Sequence, residues 1–449
     1  MAIQQMFERY LGKAAKAVIR RERLFVVAVT GSIGKSTAKQ AIAAVLRSDL
    51  PEQRVRVTSK NYNNELGLPL TVFGKPAPGR NPFAWASLLA TAFASRIGFW
   101  RSGLRMLVLE MGADKPGDIA YLTSIAQPDV AVVTAIASED SGATPVHAEN
   151  YPSVDALIEE KSQLVRNLRT GGIAVLNADD ARVFGMRHLT HEHVLTFGEA
   201  DGSDVRLAKT SVRMEETSEG RKPIGLEISL ECYQRTYELF IPGVYGRSIA
   251  YAVAAGVAVG QAMDIPEEQV TAMALAFTPM PGRTRIIEGI KRTTLFDDSY
   301  NASPSSTLSS LRDLAALQLT PGQRKAACLG EMRELGDTAQ AMHRMVGAEA
   351  ARLGLDLLVV CGIFAHAMAE GALANGMKPE AVKVIEDTPE AGLYLQDWIK
   401  PGDVILAKAS EGTQKTKGVR MERVIKELMA DPMRAEQLLV RQGAVWQRK

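Results

Sequence analysis

Cysteine is scarce in this 449-residue chain: Cys232, Cys328 and Cys361 are odd in number, far apart and never in a Cys-x-x-Cys pair. That excludes a disulfide framework and a cysteine zinc site, and it fits a reducing cytoplasm. A dominant charge is lacking as well, since 53 basic and 51 acidic side chains leave a net +2. No global field recruits nucleic acid or an anionic membrane, so binding falls to specific pockets. There is no long apolar run either. The greasiest stretch, Pro82 to Trp100, is interrupted by Arg96 and flanked by Arg80 and Arg101. Its apolar part is shorter than the roughly 20 residues a spanning helix needs. A buried or surface-amphipathic helix is expected there, with contact to a membrane surface as the alternative. The first 25 residues show neither an apolar core nor a cleavage site of an export signal. Aromatics make up only 6%, but 46% hydrophobic and 23% charged residues describe an ordinary globular chain of about three structural units.

Short apolar runs alternate with helical patterns, as in parallel sheets built from βαβ units. Strands are expected at Leu24–Val29, Met106–Leu109, Val130–Thr134 and Ile173–Leu176, then at Thr293–Phe296, Ala326–Leu329, Leu357–Val360 and Val404–Leu406. Residues 204–241 change character: Val205–Leu207, Ile224–Leu230 and Tyr237–Ile241 cluster β-formers around a polar turn, which reads as a small antiparallel sheet. Thr278-Pro-Met-Pro-Gly-Arg283 is the best interdomain hinge. The expected organisation is a basic helix over 1–23, a mostly parallel α/β domain over 24–280 and a second, Rossmann-like α/β domain over 281–449. Strands of both domains end in polar residues, among them Glu110, Asp297-Asp298 and Lys408-Ala409-Ser410. Open parallel sheets bind ligands at that edge, so two edges facing across a hinge would form a cleft.

The strongest local signal is Thr30-Gly31-Ser32-Ile33-Gly34-Lys35-Ser36-Thr37, between a strand and a helix. Glycines let such a loop turn its amides and the helix N-terminus toward phosphate, the lysine neutralises charge and Ser36 can ligate Mg2+. A plain capped glycine turn is the competing reading, and the strand-loop-helix context counts against it. Glu110, at the end of its strand, could sit beside a metal held by that loop. Alone, such a glutamate is more often an ion-pair partner. His147, in an irregular stretch, reads by itself as a surface imidazole, and Lys161 within Glu159-Glu160-Lys161 as one more solvated charge.

Five segments come in the order seen in one family. They are Thr30–Thr37, Asn61-Tyr-Asn-Asn-Glu-Leu-Gly-Leu-Pro-Leu-Thr71, Leu109-Glu-Met-Gly-Ala113, Pro281-Gly-Arg283 and Asp297-Asp-Ser-Tyr-Asn-Ala-Ser-Pro304. Together they resemble the Mur ligases, over about Leu24 to Leu428. The asparagine-rich segment, the Asp-Asp-Ser-Tyr-Asn-Ala run and Gly330-Glu-Met-Arg-Glu-Leu-Gly336 resemble the branch that adds D-alanyl-D-alanine. The resemblance implies ATP-dependent amide synthesis through an acyl phosphate on a muramyl-peptide cell-wall precursor. It implies two Mg2+ ions, held by Ser36, Glu110, His147 and a CO2-derived carbamate on Lys161. Gly31, Ser32, Gly34, Lys35, Ser36 and Thr37 would bind the nucleotide phosphates, with Arg283 reaching them from the far domain, Asp298 meeting the ribose and Asn301 the adenine. Asn63, Asn64, Lys408 and Ser410 would bind the acceptor and the incoming amine.

Three departures stand beside these matches. The branch normally begins with a domain that grips the UDP end of the acceptor, yet about 23 residues precede the first strand here. An acceptor recognised without UDP, or with help from a partner, is therefore expected. Arg247, Ser248 and Tyr251 stand where the family carries His-Asn and a further Asn, and Glu331 replaces the commoner Asp. Two other readings stay open: a subunit fed ammonia by a glutaminase, against which the missing cysteine ribbon speaks, and a nucleotide-dependent scaffold without ligase chemistry.

Overall fold

The computed structural model describes residues 2–49, 51–59, 62–136, 151–410, 419–443 and 446. Fifteen strands run through them: β1 Phe25–Thr30, β2 Val55–Val57, β3 Met106–Glu110, β4 Val130–Val133, β5 Ile173–Asn177, β6 His193–Gly198, β7 Val205–Thr217, β8 Gly220–Cys232, β9 Arg235–Pro242, β10 Arg285–Glu288, β11 Thr294–Asp298, β12 Lys325–Leu329, β13 Leu357–Val360, β14 Val382–Val384 and β15 Val404–Lys408. The helices that bear on the site are α1 Ala2–Glu22, α2 Lys35–Asp49, α3 Gly67–Phe73, α4 Pro82–Arg96, α5 Asp118–Ile125, α6 Val154–Arg166, α7 Ala181–Gly185, α8 Arg247–Ala262, α9 Glu267–Ala276 and α10 Pro304–Ala315.

The first sheet has the order β2-β3-β1-β4-β5-β6-β7-β8-β9, parallel from β2 to β7 and antiparallel thereafter. Its central strand explains itself chemically. Phe25-Val-Val-Ala-Val-Thr30 alternates Val27 and Val29 toward one core with Val26 and Ala28 toward another, as a strand covered on both faces must. Helices α2 and α8 cover the first face, and α1, α3, α4, α5 and α6 the second. The second sheet, β10-β11-β15-β12-β13-β14, is parallel except for the antiparallel edge strand β10. This is the α/β architecture expected from the sequence.

The antiparallel 204–241 segment is attached to the first domain as expected, because β7 pairs with β6 through Phe197–Val205 and Gly198–Arg206 and so extends the main sheet. Its strands are also longer than their apolar cores, since polar residues such as Lys209, Arg213 and Glu215 occupy the exposed positions of β7. Four strands went unrecognised: β2, β6, β10 and β14 are short or interrupted by charged and polar residues, which dilutes the β signal. Helix α1 does not stand apart, because Leu11, Ala14, Ala15, Val18 and Ile19 are buried in the second-face core. Glu22 locks its end by accepting hydrogen bonds from the Ser102 amide and hydroxyl.

Two bridges connect the domains. Near the hinge, Tyr245 N donates to Thr284 O at 3.1 Å and Ile286 N to Gly243 O at 2.9 Å, while Val244 pairs with Arg285. At the far end, the β7–β8 hairpin reaches the second domain: Arg221 N donates to Gln323 Oε1, and Gln323 Nε2 donates back to Arg221 O and to Gly402 O.

Because α1 supplies core rather than decoration, Leu11→Ala should destabilise the protein by about 2–5 kcal/mol. Urea denaturation checks this, and a loss within 0.5 kcal/mol, as at a surface site, would show that α1 is not integral.

Candidate functional site

The carboxyl ends of both sheets open on one cleft of about 1520 Å³. The first domain contributes the 32–38 loop, Asn63, Asn64, Glu110, Asp179, Arg247 and Tyr251, and the second contributes Arg283, Asp298, Asn301, Glu331, Lys408 and Ser410.

The loop after β1 is shaped by two glycines. Gly31 has φ +143° and Gly34 φ +82°, and a Cβ on Gly31 would lie 2.1 Å from Thr134 Oγ1. Thr134 in turn donates to Ile33 O at 2.6 Å, pinning the loop to the end of β4. The amides of Ser32 and Ile33 both point at Ala135 O, at 2.6 and 3.3 Å. These two amides are thus turned to Ala135 rather than to the cleft. What faces the cleft is the start of α2, whose first-turn amides have no partner within the helix. The Ser32 hydroxyl and Arg283 Nε are buried and have no hydrogen-bond partner among the described residues.

Glu110 lies at the tip of β3, where Ser36 Oγ donates to it at 3.0 and 3.1 Å and Lys39 Nζ at 2.8 Å. Burial pushes its pKa up, but Lys39 and Lys35 outweigh that and hold the carboxyl below the ordinary glutamate range. Lys35 Nζ donates to Gly31 O at 2.8 Å, and its pKa is lowered chiefly by burial. Arg283, from the other domain, contributes to the field at both Lys35 and Glu110, so it faces the loop across the cleft.

Lys161 sits behind the loop, fully buried, and donates to the same Gly31 carbonyl at 3.1 Å. Burial first, and Lys35 second, push its pKa well down, which favours the neutral amine. The solvated-charge reading of this lysine therefore fails. His147 lies outside the described residues. Among those residues, no three His, Cys, Asp or Glu side chains converge as a ready-made metal site. The pair Ser36–Glu110 does fit a magnesium ion, which typically takes one or two protein oxygens and completes its shell with phosphate and water.

In the second domain the two aspartates of β11 divide their roles. Asp297 is fully buried and accepts from Gly282 N and Ser299 N, tying the hinge to the strand. Asp298 faces the cleft, accepts from Ser310 Oγ at 2.9 Å and is paired to Lys408. Lys408 also donates to Asn301 O, while Ser410 donates to Ala302 O and accepts from Arg333 N. Lys408 and Ser410 both line the cleft and also organise the 298–302 loop. Asn301 is exposed in the cleft, and its Oδ1 accepts from Ala302 N. Asn64 Oδ1 accepts from Gly67 N, starting α3, and Asn63 O accepts from Gly112 N.

Residues 88–255 match the Mur ligase middle domain and residues 282–411 the Mur ligase glutamate ligase domain. The UDP-N-acetylmuramoyl-tripeptide–D-alanyl-D-alanine ligase of Mycobacterium leprae is 30% identical over 89% of this chain and 74% of its own length. The chain belongs to the Mur ligase family. The ligase of the same name from Bacillus subtilis is 28% identical over 94% of this chain and 80% of that protein. Among solved structures, MurF from Thermotoga maritima in complex with ADP superposes with a TM-score of 0.71, at 25% identity over 96% of this chain and 84% of that one.

Several neighbours of this Mur ligase site escaped sequence reading. Lys39 is one helical turn after Lys35, so spacing could have placed both near Glu110. Tyr251 OH donates to Asp179 Oδ2 at 2.7 Å and Arg247 pairs with Glu199, contacts between segments far apart in sequence that no local pattern announces. Asp313, on α10, faces them from the second domain, and burial raises its pKa to about 7 although the Arg247 backbone and charge act the other way.

The folded protein therefore keeps a proton on Asp313 at pH values where the unfolded chain, titrating near 3.8, has lost it. That contribution is complete below about pH 3.8 and is lost as pH rises through about 7. The Tm of the wild type should fall relative to Asp313→Asn between pH 4 and 8, and a pH-independent difference would remove the assignment. Gly31→Ala should abolish nucleotide binding, read by calorimetry, because its methyl group collides with Thr134.

Proposed function

We propose that this Mur ligase joins D-alanyl-D-alanine, or a closely similar amine, to a muramyl-peptide precursor of the cell wall at the expense of ATP. The observation that carries the reading is the convergence on one cleft of Lys35, Ser36 and Glu110 from one domain with Arg283 from the other.

A triphosphate laid on the start of α2 brings its terminal phosphates to Lys35, with Arg283 opposite. Magnesium held by Ser36 and Glu110 supplies charge neutralisation on those phosphates. An acceptor carboxylate oxygen attacks the γ-phosphorus, the bond to the β-phosphate oxygen breaks and ADP departs. The amine nitrogen then attacks the acyl carbon, phosphate leaves and the amine sheds a proton. The chain's contribution is positioning and electrostatic stabilisation of the charge that develops on the transferred group.

The expectation of a carbamate on Lys161 draws support from its burial and its depressed pKa, because only the neutral amine attacks CO2. Carbamylation would convert the neutral amine behind the loop into an anionic oxygen ligand for a second metal. Three unpaired, buried cysteines are in keeping with work in a reducing cytoplasm.

With ATP, Mg2+ and bicarbonate, phosphate release should require both a muramyl tripeptide and D-alanyl-D-alanine, and assaying acceptors with and without UDP defines the acceptor. Phosphate release independent of any amine would overturn the ligase reading. Lys35→Ala should weaken ATP binding itself. Lys161→Ala should lower turnover by about 10–100-fold while keeping nucleotide affinity within a few-fold, with partial rescue by formate or acetate. A carbamate carbon signal from 13C-bicarbonate should be present in the wild type and absent in that variant.

A further inference from the structure

Helix α4 has two apolar faces, and the described residues cover one of them. Leu88, Ala92 and Ser95 are buried against the core that includes α1. On the other side Phe83, Ala86, Ala90, Phe93 and Ile97 are all exposed. Their spacing of three, four, three and four residues places them on one stripe along the helix. Phe83 is 83% exposed, Phe93 58%, Ile97 53% and the following Phe99 87%. Single exposed apolar residues are commonplace, but a continuous stripe that starts at Phe83 and ends in Phe93, Ile97 and Phe99 marks an interaction surface.

The charge around the stripe has one sign. From Leu66 to Leu109 the chain carries Lys75, Arg80, Arg96, Arg101 and Arg105 and no acidic residue at all. Helix α1, packed alongside, lies in the 1–23 segment with six basic and two acidic residues, and one of those acids, Glu22, is consumed by Ser102. Arg21 clamps the two helices by donating to Ser95 O and to Trp100 O, and the Phe7 ring meets the Trp85 ring at the other end. The near-neutral total of the chain therefore conceals a strongly basic flank.

We propose that the α4 stripe and its basic border dock this protein on the surface of an anionic lipid bilayer. Aromatic and aliphatic tips enter the headgroup boundary while arginines and lysines meet lipid phosphates, the arrangement of interfacial helices. No described helix is long and apolar enough to cross a membrane, so the contact is superficial. Self-association through the stripe would set like-charged borders against each other. Nucleic acid would satisfy the arginines but leave Ile97, Ala86 and Ala90 without an apolar partner. The stripe residues are not among those lining the cleft, and the end of α4 leads into Arg105 at the amino edge of β3. Docking thus leaves the carboxyl edge, where substrates enter, accessible.

The test is sedimentation of the full-length protein with phosphatidylcholine vesicles and with vesicles containing 30% phosphatidylglycerol, at low and high salt. Binding should be confined to the anionic vesicles and weaken in high salt. Phe93→Ser/Phe99→Ser and, separately, Arg80→Glu/Arg101→Glu should each reduce it on the order of tenfold or more, with phosphate release in solution unchanged. Equal binding to both vesicle types, or to neither, overturns the proposal. So does a dimer or a nucleic-acid complex that the phenylalanine variant abolishes while vesicles remain unbound.

Discussion

The side-chain nitrogens of Lys35 and Lys161 both reach a single carbonyl oxygen, that of Gly31, and the geometry of the site is organised around that crowding. The carbonyl can face both only because Gly31 adopts a backbone conformation closed to other residues and because Thr134 stands where a side chain would be. Two like charges at one acceptor in a water-poor setting are unfavourable. Burial and Lys35 relieve the conflict by favouring the neutral form of Lys161. The loop thereby has Lys35 on the cleft side and Lys161 behind it, the latter pushed further toward its neutral form. Glu110 completes the balance, its charge retained in the interior by Lys39 and offered to Ser36 on the open side.

The second domain matters because its contribution arrives across a gap. Arg283 follows a short hinge anchored by Asp297, while Asp298, Lys408, Ser310 and Ser410 form one hydrogen-bonded unit that fixes the 298–302 loop. Such a unit is costly to break singly, since removal of either partner leaves a buried charge exposed to a low dielectric. The main-chain pairing of 243–245 with 284–286 and the Gln323 clasp of the β7–β8 hairpin join the domains at two separated places. Both sheet edges are thus held to one cleft.

Much of this was legible in the chain itself. The phosphate loop, the carboxylate at the end of β3, the doubled aspartate of β11 and the parallel strands are local signals: glycines at fixed spacing, or a polar residue ending an apolar run. The roles of Lys408 and Ser410 were not legible, because a lysine's partner depends on which strand lies beside it, and β15 happens to pair with β11. Lys161 misled by composition, since the acidic residues before it suggest solvent. In the fold, Glu160 instead accepts the amides of Gly117 and Ile119, and its neighbour turns into the core.

The sequence by itself determined the family, the alternation of strand and helix and the glycine turn between β1 and α2, because each is written in residues that are neighbours along the chain. Tertiary structure alone decided that burial pushes Lys161 toward its neutral form, which aspartate faces the cleft, that α1 belongs to the core and that the basic segments of a nearly neutral protein gather beside an exposed apolar stripe. Burial and charge coupling are properties of what lies nearby in space, and strand order brings together residues that the chain separates.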